Sequence, residues 1–344
     1  MDDHSAPAPL RAWTGRVDGE GPEHARWHQR VQPAQLPRGS QRTPGSSAPH
    51  VAVVGFRTDE GVRRNGGRTG AADGPEALRS ALAPMVPYPS IARGDVQLVD
   101  HGDAVTVGED LETGHRDAAA MIASALGAPG SLLTVVLGGG HETAWACYLG
   151  LVSSLGAGTD APGARPRWGV LNLDAHFDLR REDRATSGTP FLQMAEAERA
   201  AGRDLTYAVL GISEASNTGA LFDTARELGV RWLTDLECLD GGTGAVQSFV
   251  EEVIEDLDVL YLTIDLDVLP AAAAPGVSAP AGLGVPLPLI VTAVRAAAAS
   301  GKLALIDVVE LNPGLDVDSR TARTAARLID LAVRQHLTAA PTDV

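Results

Sequence analysis

The chain has 344 residues, with 28 Lys plus Arg against 44 Asp plus Glu, a formal net charge of −16. That length can bury a large core, and an α/β fold of this size is commonly one domain. So acidic a balance excludes nucleic acid or an anionic membrane surface as the main partner, because both select clustered positive charge. The two cysteines, Cys147 and Cys238, sit in apolar stretches without CxxC spacing. This argues against a disulfide framework or dithiol redox role and suits free thiols in a reducing cytosol. The start, Met1-Asp2-Asp3-His4, has neither a basic nor an apolar signal region. The most apolar helical pattern, 289–299, is interrupted by Arg295 and is too short to span a membrane. A soluble cytoplasmic protein is expected.

Residues 1–49 are rich in Pro, Ser, Gly, Gln and Arg, and cannot bury enough apolar surface to offset their ordering entropy. A partly disordered tail is expected there, with Trp13 and Trp27 docking some of it on the body. From residue 50 short β-branched runs recur: VAVVGF (51–56), VQLVD (96–100), LLTVVLG (132–138), WGVLNLD (168–174), TYAVLGI (206–212), VLYLTID (259–265) and LALIDVVEL (303–311). A weaker run lies near VRWL (230–233). Near-continuous apolar strands belong in a parallel sheet covered on both faces. Helical patterns alternate with them at 114–127, 143–156, 217–229 and 321–336, and 156–167 reads as a flexible surface loop. About eight strands alternating with helices specify an open doubly wound sheet or an α/β barrel, with 50–344 as one domain.

Three segments carry chemistry. In LNLDAHFDLR (171–180), Asp174, His176 and Asp178 stand at i, i+2 and i+4, so an extended backbone would project all three from one face. Unpaired charges on one side of a strand are expensive to bury, and metal coordination removes that cost. In YLTIDLDVLP (261–270), Asp265 and Asp267 follow an apolar strand, at the carboxyl edge where α/β proteins place their sites. In VVLGGGHET (135–143), three glycines precede His141. The spacing fits no phosphate-binding loop, so the glycines are expected to bring the backbone close to the site with His141 pointing in. Taken singly, these segments also read as a solvated strand exit, turn residues and a structural histidine. Together they meet at one sheet edge, and four aspartates balance two divalent cations. Carboxylates with two imidazoles favour Mn²⁺ over zinc. Two such ions about 3.5–4 Å apart lower the pKa of a shared water toward neutrality.

At GGGHE, DAHFD and DLDV the chain resembles the ureohydrolase family, which includes arginase, agmatinase and formimidoylglutamase, over roughly 50–338. The resemblance implies an arginase-type three-layer αβα fold with an eight-stranded parallel sheet and two Mn²⁺ ions per chain. It implies that Asp174 and Asp265 bridge the ions, that His141 and Asp178 complete one, and that His176 and Asp267 complete the other. It also implies a small-molecule substrate and a homo-oligomer, trimeric or hexameric.

Within the family, DLRREDRATSGTPF (178–191) departs from the arginase pattern. Arg180 stands where arginases carry Asn, and Phe191 where they carry a relay His. This stretch, with 61–79, 211–229 and 13–29, is similar to the formimidoylglutamase branch. That branch converts N-formimidoyl-L-glutamate to glutamate and formamide in histidine degradation. Glu310, in DVVELNP, matches the family carboxylate that contacts the substrate's cationic nitrogens. A dicarboxylate substrate needs donors: Arg180 supplies a planar fork, Ser187 and Thr189 hydroxyls, and Asn217 an amide, with Arg64, Asn65 and Arg68 as further candidates. Asp178 or water would have to donate the proton that Phe191 cannot. The alternatives are a guanidino-acid or agmatine hydrolase releasing urea, or a non-catalytic relative that binds metal or a metabolite.

Overall fold

The computed structural model describes residues 12–34, 48–156 and 165–339. The rest of the expected disordered tail, and most of the expected 156–167 loop, lie outside the described residues. Nine parallel strands form one sheet: β1 (Val31–Pro33), β2 (His50–Arg57), β3 (Gln97–Val105), β4 (Ser131–Leu137), β5 (Trp168–Leu173), β6 (Thr206–Ile212), β7 (Arg231–Thr234), β8 (Val259–Asp265) and β9 (Leu303–Val309). Their order is β1-β3-β2-β4-β9-β8-β5-β6-β7, so β4, β9, β8 and β5 lie side by side at the centre. Eight of these are the strands expected from sequence. The ninth, β1, pairs Val31 with Leu98 and Pro33 with Asp100 on β3. Three residues ending in proline give no strand signal, and proline is tolerated there because β1 is an edge.

The helices are α1 (Trp27–Arg30), α2 (Glu60–Arg64), α3 (Gly74–Leu82), α4 (Pro89–Arg93), α5 (Leu111–Leu126), α6 (Thr143–Gly156), α7 (Pro190–Ala200), α8 (Gly219–Glu227), α9 (Asp235–Ile254), α10 (Leu287–Ala299) and α11 (Arg320–Ala339). Alternation along each strand divides the core in two. Val53, Val135, Leu173 and Leu262 face α3, α9, α10 and α11, whereas Val54, Val136, Val170 and Tyr261 face α5, α6, α7 and α8. The result is the three-layer αβα architecture, with apolar side chains buried on both faces of the sheet.

The tail residues that are described run along the α3 and α11 side. Trp27 is 1% exposed and Trp13 8%, and their rings stack with centroids 6.3 Å apart. Trp27 Nε1 donates to Asp330 at 3.3 Å and Trp13 Nε1 to Asp100 at 2.6 Å. Asp100 also accepts two bonds from Arg79, at 2.8 and 3.0 Å. Each indole therefore buries its ring and satisfies its N–H, as aromatic residues with a polar edge must.

Candidate metal centre

The carboxyl ends of the four central strands supply the site. His141 follows β4, Asp174 to Asp178 follow β5, Asp265 ends β8, and Glu310 follows β9. Around His141 the backbone comes very close: a Cβ on Gly139 would lie 1.9 Å from the Thr58 carbonyl, so only glycine fits. His141 sits in the turn before α6 rather than in its first turn. The extended path expected for Asp174–Asp178 is also not followed. The strand ends at Leu173, the chain turns, and Asp178 has φ 48°. Asp267 lies in a short 3₁₀ turn, Leu266–Val268, whose first N–H groups fold back so that Asp267 N donates to Asp265 Oδ1 at 2.8 Å.

These turns still bring all six side chains together. His141 Nδ1 lies 3.2 Å from Asp174 Oδ2, 3.0 Å from Asp178 Oδ2 and 3.1 Å from Asp265 Oδ2. His176 Nδ1 lies 3.1 Å from Asp267 Oδ2 and 3.5 Å from Asp174 Oδ1. Two ligand clusters result, His141/Asp174/Asp178 and Asp174/His176/Asp267, and Asp174 belongs to both. Asp265 reaches the first cluster through His141.

The donor set fits a pair of cations. His141 Nδ1 is buried and makes no hydrogen bond of acceptable geometry, although three carboxylate oxygens converge on it. One ring nitrogen cannot serve three acceptors, but a cation between them can serve all four atoms. Proton affinities point the same way. Burial pushes the carboxyls of Asp178, Asp265 and Asp267 upward. Asp267 drives the His176 imidazole to about 12. Burial opposes protonation of His141, but the three aspartates overcome it and hold this ring above its ordinary value. Asp174 goes the other way, because the two imidazoles outweigh its own desolvation. Excess negative charge is thus held in a dry site, and oxygen-rich ligands with imidazole suit Mn²⁺.

A surrounding layer orients the ligands. His141 Nε2 lies 3.1 Å from Thr263 Oγ1, which fixes the ring so that Nδ1 can present its lone pair. Thr263 pairs in register with Asp307, and Asp307 accepts from the Tyr261 hydroxyl. Asn172 Nδ2 donates to Asp174 Oδ2 at 2.9 Å and to the Tyr207 hydroxyl at 3.1 Å. Glu142 Oε1 accepts from Thr58 Oγ1 and Gly61 N, which ties the α2 loop to the His141 turn. Of these residues, Asn172, Thr263, Asp307, Tyr207 and Tyr261 carry no motif of their own in the sequence. Their signal is a lone polar residue in an otherwise apolar run: Asn172 in WGVLNL, Thr263 in VLYLTID, Asp307 in LALIDVV.

A cavity of about 310 Å³ opens above the cluster, lined in part by Asp178, Arg180, Ser187, Asn217 and Glu310. Glu310 Oε1 accepts the His141 N–H at 2.8 Å. Burial, followed by repulsion from Glu142, raises the Glu310 carboxyl to about 8. Its φ of 67° is a costly backbone state, and together with Asp178 it places two of the four positive-φ non-glycine residues among the described residues in this site. Arg180 is exposed and its guanidinium is free of ion pairs among the described residues. Ser187 faces the cavity and accepts from Asn65 Nδ2 at 3.2 Å.

Two of the expected substrate contacts are placed differently. Thr189 is absent from the cavity lining, and its hydroxyl is taken up by Thr186 and Gln193 at the start of α7. Asn217 reaches the cavity, but its amide is occupied by Phe177 N, Ala175 O and Ser213 O, so it braces the metal-ligand turn. Arg64 is committed to Glu60 and Glu112. Phe191 is fully buried, edge-on to the His141 ring at 5.2 Å and stacked on Tyr207 at 4.4 Å. It shapes the ligand's back wall and has no proton to give.

Comparison with known proteins agrees with this geometry. The Arginase family model matches residues 49–333. A formimidoylglutamase of Nocardia farcinica is 53% identical over 96% of this chain and 98% of its own length. The crystal structure of formimidoylglutamase from Bacillus subtilis superposes with a TM-score of 0.77 at 21% identity, covering 99% of this chain and 97% of that one. A Trypanosoma cruzi formiminoglutamase crystallised with Mn²⁺ gives a TM-score of 0.70 at 25% identity, covering 84% of this chain and 94% of that one. With the central-strand ligand clusters, the αβα sheet and a family match that spans most of its length, the chain belongs to the arginase family.

Proposed function

We propose that this protein is a two-manganese hydrolase that cleaves N-formimidoyl-L-glutamate to L-glutamate and formamide, a step of histidine degradation. The observation that carries the reading is the combination of a carboxylate-rich ligand cluster with an unpaired guanidinium, Arg180, on one cavity. Curated relatives at 45–53% identity bear the name formimidoylglutamase.

The two ions, one held by His141 and Asp178 and the other by His176 and Asp267 with Asp174 and Asp265 shared, would supply a water acidic enough to act at neutral pH. Glu310, fixed by the His141 N–H, faces the cationic nitrogens of the formimidoyl group. Arg180 receives a substrate carboxylate through its planar fork. Water adds to the formimidoyl carbon, and the bond from that carbon to the glutamate nitrogen breaks. The departing nitrogen takes up the proton that the adding water gives up, for which Asp178 would be the carrier because Phe191 has no proton to give.

The test is side-by-side turnover of formimidoylglutamate, 4-guanidinobutyrate, arginine and agmatine by protein reconstituted with Mn²⁺. Formamide and glutamate are expected from the first alone. Urea release without formamide overturns the substrate assignment. A metal content below about one equivalent after reconstitution would instead favour a non-catalytic binding protein.

A further inference from the structure

We infer that Arg68 is a second anion-binding residue of this site, so that Arg68 and Arg180 take the two carboxylates of the substrate, one each. This rests on the proposed glutamyl substrate and extends it to a second arginine of the same cavity. Both arginines line the cavity. The three arginines of the α2 loop are treated differently by their surroundings. Arg63 pairs with Glu60, and Arg64 with Glu60 and Glu112. Arg68 has no carboxylate partner among the described residues. Its Nε donates to Ser278 O at 3.1 Å, and one Nη to Val277 O and Ser278 O, both at 2.9 Å. Neutral carbonyls therefore immobilise the group without cancelling its charge, and its other Nη remains free to donate.

The backbone is shaped for this placement. Arg68 N donates to Ser278 Oγ at 2.8 Å, and Arg68 O accepts from Asn312 Nδ2 at 3.2 Å. Immediately before it, a Cβ on Gly67 would come within 2.7 Å of Ser278 Oγ, so glycine allows the loop to seat against the 277–278 segment. An arginine without partners would lose much side-chain freedom on binding, whereas Arg68, though exposed, is already held by the Val277 and Ser278 carbonyls. Once cations balance the four aspartates, Arg68 and Arg180 are the remaining Lys or Arg residues lining the cavity among the described residues. A monoacid substrate needs only one of them; a diacid uses both.

The experiment compares wild type, R68Q, R68K and R180Q on three substrates: N-formimidoyl-L-glutamate, N-formimidoyl-4-aminobutyrate, which lacks the α-carboxylate, and N-formimidoyl-2-aminobutyrate, which lacks the side-chain carboxylate. A charged hydrogen bond of ordinary strength makes R68Q raise KM for the diacid by about 10- to 100-fold, with kcat changed less than about threefold. R68Q should leave KM unchanged for the one monoacid that lacks the carboxylate it binds, and R180Q for the other. R68K should fall between wild type and R68Q. Calorimetric binding of N-formyl-L-glutamate to metal-free protein, where no activated water is available to cleave it, reads Arg68 separately from turnover. If wild type binds it but fails to turn over formimidoylglutamate, the proposed reaction is lost while Arg68 is still judged by the R68Q affinity. Equal affinity of folded R68Q and wild type, or an equal KM penalty on both monoacids, overturns the assignment.

Discussion

Replacing Thr263 with valine isolates the layer behind the metal ligands. The change conserves side-chain shape, so it opens no cavity, and on the ligand side it deletes the 3.1 Å bond between Thr263 Oγ1 and His141 Nε2, along with the hydroxyl's contact to Asp307 behind it. His141 is 1% exposed and Thr263 fully buried, so no water can replace the lost hydroxyl. The ring then has no partner holding its proton on Nε2. The competing tautomer places that proton on Nδ1, the nitrogen that faces Asp174, Asp178 and Asp265, and a protonated nitrogen cannot ligate. Loss of an orienting partner of this kind lowers metal affinity by about 10- to 100-fold, equivalent to about 1.4–2.7 kcal/mol. Only one ion should be affected, because His176 does not contact Thr263. Titrating the metal-free protein with Mn²⁺ by calorimetry, with electron paramagnetic resonance to count bound ions, should show one weakened site and one unchanged site. Two sites of wild-type affinity in T263V would refute the orienting role, and equal weakening of both would refute its selectivity.

Other substitutions test other parts of the structure. Asp174→Asn should reduce bound Mn²⁺ from about two equivalents to less than one, because Asp174 belongs to both clusters; two retained ions by elemental analysis would remove its bridging role. Phe191→Ala removes a fully buried ring packed on Tyr207 and His141 and should cost about 3–5 kcal/mol in chemical denaturation, with a loss below about 1 kcal/mol contradicting that packing. Trp27→Ala should destabilise by a similar amount of about 3–5 kcal/mol, which would show that the docked N-terminal segment stabilises the body. Burial lowers the His115 imidazole to about 4. It is therefore neutral in the fold while the unfolded chain takes up a proton below about 6.5, and its contribution is present above pH 6.5 and lost as pH falls toward 4. The difference in unfolding free energy between chelated wild type and H115Q should vary across that window by about 3 kcal/mol; a flat difference would contradict the depressed value.

The clustering of the candidate ligand residues was legible because their types are costly anywhere else. His141, Asp174, His176, Asp178, Asp265 and Asp267 each follow an apolar run, and charge that close to a core needs compensation. The local path was not legible: alternation suggested an extended strand through Asp178, but the chain turns after Leu173 and gives Asp178 φ 48°. Strand order was hidden as well, since the adjacency of β4, β9, β8 and β5 depends on contacts between residues distant in the sequence, such as Thr134 with Leu305 and Trp168 with Val259. Asn172 and Thr263 were passed over because a single polar residue in a strand has many uses, and only the neighbouring ligands reveal theirs. Thr189 shows the opposite failure. Its position suggested a contact with substrate, but a hydroxyl at the start of a helix is readily captured by local backbone and side chains.

The central position of the four ligand-bearing strands separates two kinds of change. Each of them has a paired neighbour on both sides, so opening any one breaks ladders along both edges, and amide hydrogens there should exchange only through global unfolding. The cavity residues Asn65, Arg68, Arg180 and Ser187, among them the two arginines proposed to meet the substrate, lie on connecting segments beyond the strand ends. Those segments can open, lengthen or change residue without disturbing the sheet. The ion-holding framework can therefore stay fixed while the rim is rebuilt, which gives this architecture a route to new acyl or amidino substrates that leaves its reactive centre in place.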